Sequence, residues 1–558
     1  MFKFQHAKRA AVIVRKCQPQ LQERCLATIT GTTDSEWESF ASIDPWSTSA
    51  KNPHQILNQV NGEWLPSKKF LSIPDPWNGE EFLSVPDTQE TEITPFVSSL
   101  ANCTKSGLHN PYKNPERYRM FGAVSAKAAY MMKQDNVKEF FIKLIQRVAP
   151  KSYGQARAEV EVTQQFLENF GGDQVRFLAR SFGIAGDHTG QMSTGHRWPF
   201  GPVVIIAPFN FPLEIPMLQL MGALFMGNKV LLKSDSRVAV VMEQVLRMLH
   251  FCGMPAKDVD FLNCDGPTMH KFLLTAKPRM TQFTGSSTVA EILARDLHGK
   301  IKIEDAGWDW KILGPDVADE EYIAFVSDQD AYAYSGQKCS AQSALFLHKN
   351  WVEAGFIARL KDLAERRSMA DVTIGPVLTV TNERFMAHVD ALLAIPGTEL
   401  LFGGDLLTNH TIPVCYGSFK PTAIKIPLAE LLKPENFPVC TTEIFGPFQI
   451  VVEYGDNDVD QVLEVLERTE AHLTAAIVSR DIHFQNKILG SSVNGTTYVG
   501  TRARTTGAPQ NHWFGPAGDP RGAGIGSPEA IRLVWSCHRE IILDQGPIDD
   551  TWSLPPPS

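Results

Sequence analysis

Five short segments of the chain carry residue types that do chemistry. They are Pro208-Phe209-Asn210-Phe211-Pro212, Lys233-Ser234-Asp235-Ser236, Phe283-Thr284-Gly285-Ser286-Ser287, Tyr334-Ser335-Gly336-Gln337-Lys338-Cys339-Ser340-Ala341 and Glu443-Ile444-Phe445-Gly446-Pro447. Cys339 sits in a polar loop, whereas several of the other cysteines have apolar neighbours. A thiol there is either a nucleophile or a small filler, and the residues alone leave both open. Asn210 reads as a turn residue or an amide donor, and Glu443 as a solvated loop acid or a ligand. The turn around Gly285 says more. It ends a strand and starts a helix, so its backbone N–H groups and the positive helix end converge on one spot suited to a pyrophosphate. No GxxxxGK[ST] loop occurs. Gly522-Ala523-Gly524-Ile525-Gly526 follows Asp519-Pro520-Arg521 rather than a strand, so it reads as an ordinary loop.

The elements that must hold these segments follow from hydrophobic patterning. Apolar runs at 203–207, 230–232, 259–262, 281–283 and 301–303 predict buried strands. Between them, 213–226, 236–251, 266–274 and 287–297 predict helices. Strand and helix alternate every 25 to 30 residues, the pattern of a parallel α/β sheet. Upstream, 119–132, 136–148 and 156–170 predict helices, and the glycine-containing stretch 177–197 predicts a hairpin. A second alternating set follows at 310–313, 344–347, 351–366, 449–452, 459–468 and 473–478, which makes a second α/β domain. The chemistry-bearing segments fall at the carboxyl ends of strands, where open α/β sheets bind ligands.

Composition bounds the function. The chain has 558 residues, is 43% hydrophobic and carries a net charge of −9. That disfavours a nucleic-acid partner, whose phosphates need a basic surface. The nine cysteines form no CxxC pairs; they imply neither a disulfide framework nor a metal site. The most apolar stretch, 201–227, contains four prolines, Asn210 and Glu214, which excludes a lipid-facing helix. The first 22 residues contain five basic residues and no acid, a pattern that predicts a mitochondrial matrix presequence over about residues 1–35. The proline-rich end, 552–558, reads as a tail or arm.

Taken in order, the motifs resemble the aldehyde dehydrogenase superfamily. These are Ala207-Pro208-Phe209-Asn210-Phe211-Pro212, the Lys233 strand end, Phe283-Thr284-Gly285-Ser286, Gly336-Gln337-Lys338-Cys339 and Glu443-Ile444-Phe445-Gly446-Pro447. Gly375-Pro376, Gly417-Ser418-Phe419-Lys420-Pro421-Thr422 and Leu473-Thr474-Ala475 add to the match, which runs from about residue 74 to 539. The Gly-Gln-Lys-Cys-Ser-Ala version with a basic start is most similar to the plant-type mitochondrial 1-pyrroline-5-carboxylate dehydrogenases.

The resemblance implies roles. Cys339 is the expected nucleophile, Asn210 the oxyanion donor and Glu304 the base that activates water. The family usually follows that glutamate with Leu-Gly-Gly, whereas this chain has Asp305-Ala306-Gly307, so Asp305 competes with Glu304. The expected cofactor is NAD, held by Ala207, Pro208, Phe209, Lys233, Ser236, Gly266, Gly285, Ser286, Glu443 and Phe445. Many NAD-specific members carry a glutamate where Ser236 stands; a serine does not repel a 2′-phosphate, so NADP is a weaker second choice.

The implied substrate is L-glutamate γ-semialdehyde, with Glu159 facing its ammonium, Ser340 anchoring its carboxylate and Phe211 lining the site. Relatives complete the anchor with a serine after Phe-Gly-Gly. Here the loop reads Phe514-Gly515-Pro516-Ala517-Gly518-Asp519-Pro520-Arg521, so Arg521 or backbone N–H groups near it are expected to substitute. Another carboxylated semialdehyde, such as succinate semialdehyde, is the alternative. A Cys–His hydrolase and a non-catalytic relative are two further classes; no motif pairs a histidine with Cys339, and intact Cys339, Asn210 and Glu304 oppose the second. The implied architecture is a Rossmann-like NAD-binding domain (36–176 and 198–303), an α/β catalytic domain (304–490) and a β-ribbon for oligomerisation (177–197 with 491–558). Such a ribbon predicts a homodimer or homotetramer.

Overall fold

The computed structural model describes residues 36–305, 307–507 and 512–558. The expected presequence lies outside them. Among the described residues, no helix is long and apolar enough to cross a membrane.

The first sheet contains five parallel strands. Their spatial order is Ile301–Glu304, Met280–Thr284, Pro202–Ile206, Lys229–Lys233 and Val259–Phe261, followed by the antiparallel Asn58–Val60 and Glu63–Leu65. The order turns back between Pro202–Ile206 and Met280–Thr284, a topological switch point. Alternate side chains feed opposite cores. Val203, Ile205, Val230 and Leu232 pack with helices Glu116–Lys133, Asp135–Val148, Tyr153–Asn169, Glu214–Phe225 and Ala239–Phe251. Val204, Leu231, Phe283 and Ile303 pack with Phe96, Phe272 and Leu293 on the other face. Burial on both faces explains why these strands read as continuous apolar runs.

The second sheet runs Glu399–Phe402, Thr422–Lys425, Phe448–Tyr454, Gln342–His348, Asp309–Leu313, Thr474–Val478 and Thr496–Val499; only the first is antiparallel. Thr496–Val499 therefore belongs to this sheet, although residues beyond 490 were assigned to the arm. The strand is mostly half-buried and carries no clear alternation to betray it.

Three further differences have local causes. The helix expected from 236 starts at Ala239, because the Asp235 carboxylate accepts the Arg237 N–H at 2.9 Å and turns the chain first. The helix expected over 351–366 is divided at Gly355, whose φ is +80°. The hairpin starts later than expected: Phe177 lies in helix Gln174–Leu178, and the strands are Phe182–Ala185 and Gln191–Pro199. Strand Ser536–Asp544 pairs with Gln191–Pro199 along its whole length, making a three-stranded ribbon. Arg197 ties its base, donating to the carbonyls of Arg532 at 2.8 Å and Ser536 at 2.6 Å.

Candidate active site

A cleft of about 1420 Å³ opens at the carboxyl ends of the first sheet. Ala207, Pro208, Phe209 and Asn210 leave the central strand and form one wall. Lys233 ends the next strand, Gly266 starts the helix after the third, and Gly285 and Ser286 form the turn into helix Ser287–Asp296. Glu304 ends the edge strand. Cys339, Glu443 and Phe445 complete the enclosure. Phe445 meets Phe209 edge-on, with ring centroids 5.8 Å apart.

The nucleophile loop is held by close backbone approach. Tyr334, Ser335 and Gly336 all adopt left-handed φ angles, of 57°, 51° and 66°. Two consecutive non-glycine residues in that region store strain, which persists only where the surroundings over-determine it. A Cβ on Gly336 would lie 2.0 Å from the Gly446 carbonyl oxygen, and one on Gly307 2.2 Å from that of Cys339. Those contacts explain why both segments carry glycine. Gln337 is buried; its amide donates to the Pro376 carbonyl at 3.0 Å and accepts the Leu378 N–H at 2.8 Å. The Ser335 hydroxyl accepts the Gly375 N–H at 3.0 Å. Gly375-Pro376 is therefore a brace for the loop that carries Cys339.

Acidic groups surround Cys339. Burial raises the Glu304 carboxyl to about 7, and the nearby charge of Asp305 adds to it, while the adjacent Cys339 works the other way. Burial and the facing Glu304 push the Cys339 thiol well above its ordinary range. Glu443 accepts the Gly307 N–H at 3.5 Å, and burial with Asp309 holds its carboxyl well above normal. Asp309, fully buried, was not singled out from the sequence. Its Oδ1 accepts the Thr474 N–H at 2.6 Å, and burial raises it strongly. A carboxyl of raised pKa beside a thiol is suited to take a proton near neutral pH.

A second missed feature is the Asp235–Arg237 pair, which lines the cleft. The Arg237 guanidinium holds both Asp235 oxygens, at 2.9 and 2.7 Å, donates to the Leu378 carbonyl at 2.6 Å and covers the Phe209 ring. Burial opposes ionisation of Asp235, but Arg237 wins and lowers it to about 2. Ser236 does not line the cleft and lies half-buried between them.

Four expected substrate residues are also absent from this wall. Ser340 is buried. Phe211 packs its ring against Tyr334. Glu159 is 2% exposed and does not present a free carboxylate for an ammonium. Its oxygens are taken by Lys151 Nζ at 2.7 Å and by the N–H groups of Leu213 at 2.9 Å and Glu214 at 3.2 Å. Arg521 is turned outward: its guanidinium binds Asp519 and Glu291, while its carbonyl accepts the Ile303 N–H at 2.9 Å. It forms an edge against strand Ile301–Glu304, and its charge is already paired, so it is not an open anchor. The glycine run 522–526 continues this edge as a loop. Among the described residues every cysteine is a free thiol.

A doubly wound first sheet, a second α/β sheet and a cysteine beside buried carboxyls together form this cleft. Residues 64–520 match the aldehyde dehydrogenase family, and the chain belongs to that family. It is 63% identical over 517 residues to a probable aldehyde dehydrogenase of Linum usitatissimum, covering 93% of this chain and 94% of the relative. It is 60% identical over 532 residues to the mitochondrial delta-1-pyrroline-5-carboxylate dehydrogenase 12A1 of Arabidopsis thaliana, covering 95% and 96%. Among solved structures, it superposes on a putative aldehyde dehydrogenase from Burkholderia cenocepacia with a TM-score of 0.78 at 19% identity, covering 90% of this chain and 100% of that one. Aldehyde dehydrogenase 21 from Physcomitrella patens, in complex with succinate, gives 0.76 at 17% identity with the same coverage. These likenesses establish the fold.

Proposed function

We propose that this chain oxidises L-glutamate γ-semialdehyde to L-glutamate in the mitochondrial matrix, as a step of proline catabolism, using NAD. The observation that carries this reading is the 60% identity across nearly the whole length of the Arabidopsis enzyme. Cys339, Glu304 and Asn210 meeting at one cleft supports it. The cleft also fits the cofactor. The N-terminus of helix Ser287–Asp296 opens into it at Gly285 and Ser286, suited to a pyrophosphate, and Lys233 and Glu443 offer a cation and an acceptor to hydroxyls. Bound NAD supplies the hydride acceptor; NADP is the second choice, left open because Ser236 stands where an acid would repel a 2′-phosphate.

The chain's own residues do the rest. Cys339 releases its proton to water, and its sulfur adds to the aldehyde carbon. Asn210 stabilises the resulting oxyanion with its amide. Loss of hydride leaves a thioester on Cys339. Glu304 takes a proton from water, the hydroxide adds to the thioester carbon, and the thiolate leaves as glutamate forms. Phe211 and Ser340 are proposed to lie on the substrate side of the nucleophile. The apolar Phe182, Ile184 and Ile542 side chains, each more than half exposed on the ribbon, support assembly as a homodimer or homotetramer.

The test is NADH formation with glutamate semialdehyde, succinate semialdehyde and propanal in parallel. A strong preference for the first, lost in Cys339→Ser, supports the reading. Turnover of only the other aldehydes refutes the substrate.

A further inference from the structure

Lys151 has no solvent exposure, and no step above uses it. It lies just ahead of helix Tyr153–Asn169, and its ammonium is enclosed on every side. Nζ donates to Glu159 Oε2 at 2.7 Å and to the backbone carbonyl of Asn210 at 2.8 Å. The rings of Phe211 and Tyr334 each lie 4.3 Å from it. The other oxygen of Glu159 accepts from Leu213 and Glu214, at the start of helix Glu214–Phe225.

We propose that Lys151, paired with Glu159, is a positioning residue that fixes Asn210 relative to the turn carrying Cys339. The pair grips the 210–214 segment at both ends: Lys151 holds the Asn210 carbonyl, and Glu159 holds the Leu213 and Glu214 N–H groups. The same ammonium lies against Tyr334, the first left-handed residue of the nucleophile turn. One buried cation therefore touches both strands of chain whose separation sets the oxyanion geometry. Stability alone does not call for it, because apolar residues of similar volume replace buried ion pairs at little cost. Position does call for it, since oxyanion stabilisation depends on donors fixed within a fraction of an ångström. Two neutral rings and a carbonyl also give the ammonium a cage with a single geometry.

The proposal rests on the thioester chemistry above but not on the identity of the aldehyde. Its test uses the full chain with Lys151→Met, and with Lys151→Met/Glu159→Gln as a charge-balanced form should the single variant fail to fold. Turnover of propanal and of glutamate semialdehyde is read beside hydrolysis of p-nitrophenyl acetate, which acylates Cys339 without a hydride acceptor. We expect kcat to fall at least about 10-fold on every substrate, part of the roughly 10²- to 10³-fold that one oxyanion donor supplies. NAD affinity stays within about 2-fold, since the cofactor wall is untouched. In an Asn210→Ala background the same change costs less than about 2-fold, because coupled residues are not additive. An equal loss in both backgrounds overturns the proposal. So does a KM rise confined to the carboxylated aldehyde, which would make Lys151 a substrate contact. The ester arm still reads the clamp if glutamate semialdehyde is not the substrate.

Discussion

The backbone N–H of Gly285 donates to the carbonyl of Glu304 at 3.1 Å. Gly285 follows the end of strand Met280–Thr284, and Glu304 ends the neighbouring strand, with Thr284 and Glu304 paired in register. The turn suited to a pyrophosphate and the carboxyl suited to activate water are thus parts of one backbone corner. On the proposed reading, placing the cofactor phosphates at this turn also fixes the backbone of the proposed base.

Glu304→Gln should separate the two halves of the reaction. Acylation continues and releases one NADH per site, after which steady turnover falls at least about 100-fold, the usual worth of a general base. Rapid-mixing absorbance measures both phases. In the wild type the ionised carboxylate is the working form. With its pKa raised to about 7 by burial, hydrolysis should rise with pH through that value and level above it. The variant loses that limb, and an unchanged profile would assign the base elsewhere.

The same substitution should make Cys339 easier to alkylate at high pH. Ionised Glu304 disfavours a neighbouring thiolate, so removing its charge lowers the thiol pKa. At pH 8.5 iodoacetamide should inactivate Glu304→Gln several-fold faster than wild type. At pH 6, where Glu304 is protonated, the rates should converge. Slower alkylation of the variant at pH 8.5 would show instead that Glu304 deprotonates the thiol.

Asn210→Ala should lower kcat by about 10²- to 10³-fold, the cost of one oxyanion donor. NAD binding, followed by quenching of tryptophan fluorescence, should be nearly unchanged. A parallel loss of cofactor affinity would mark Asn210 as structural.

Ser236→Glu should sharpen cofactor choice. A carboxylate beside the Asp235–Arg237 turn repels a 2′-phosphate, so KM for NADP should rise at least about 10-fold, corresponding to about 1.4 kcal/mol. KM for NAD should move less than about 3-fold on the same scale. Equal effects on both cofactors would place position 236 away from the ribose.

Arg521→Ala should leave KM for the aldehyde unchanged, because the guanidinium already serves Asp519 and Glu291. The remaining effect is loss of a mostly surface pair, worth about 0–1 kcal/mol in thermal unfolding. A large KM increase would show that the loop turns inward when substrate binds.

The first sheet was legible because parallel strands buried on both faces are apolar in their centres, as 202–206 and 230–232 are. Cys339 and Glu443 were legible as cleft residues because local motifs carry them, whereas the motif around Glu304 departs from the family's and Asp305 lines the same cleft. Strand Glu399–Phe402 was not, since half of it is exposed on a sheet edge. The three-stranded sheet of His54–Gln55, Glu81–Pro86 and Phe70–Pro74 was missed because its strands are short and mixed in polarity. Lys151 was invisible for another reason: its partner carbonyl at Asn210 lies 59 positions away. Nothing in a turn lysine announces that a distant segment will close over it. Glu159 was singled out for an ammonium, and the structure supplies one from within the chain.

The ribbon also orders events in time. Gln191 reaches Asp544 across 353 positions of sequence, and Asn228 holds the Trp535 carbonyl across 307. Contacts so far apart form late, after the intervening sheet has condensed. Until 536–544 emerges, Gln191–Pro199 keeps one edge unpaired, ready to capture the wrong strand. A chain at that stage carries an open strand edge that the finished ribbon no longer offers.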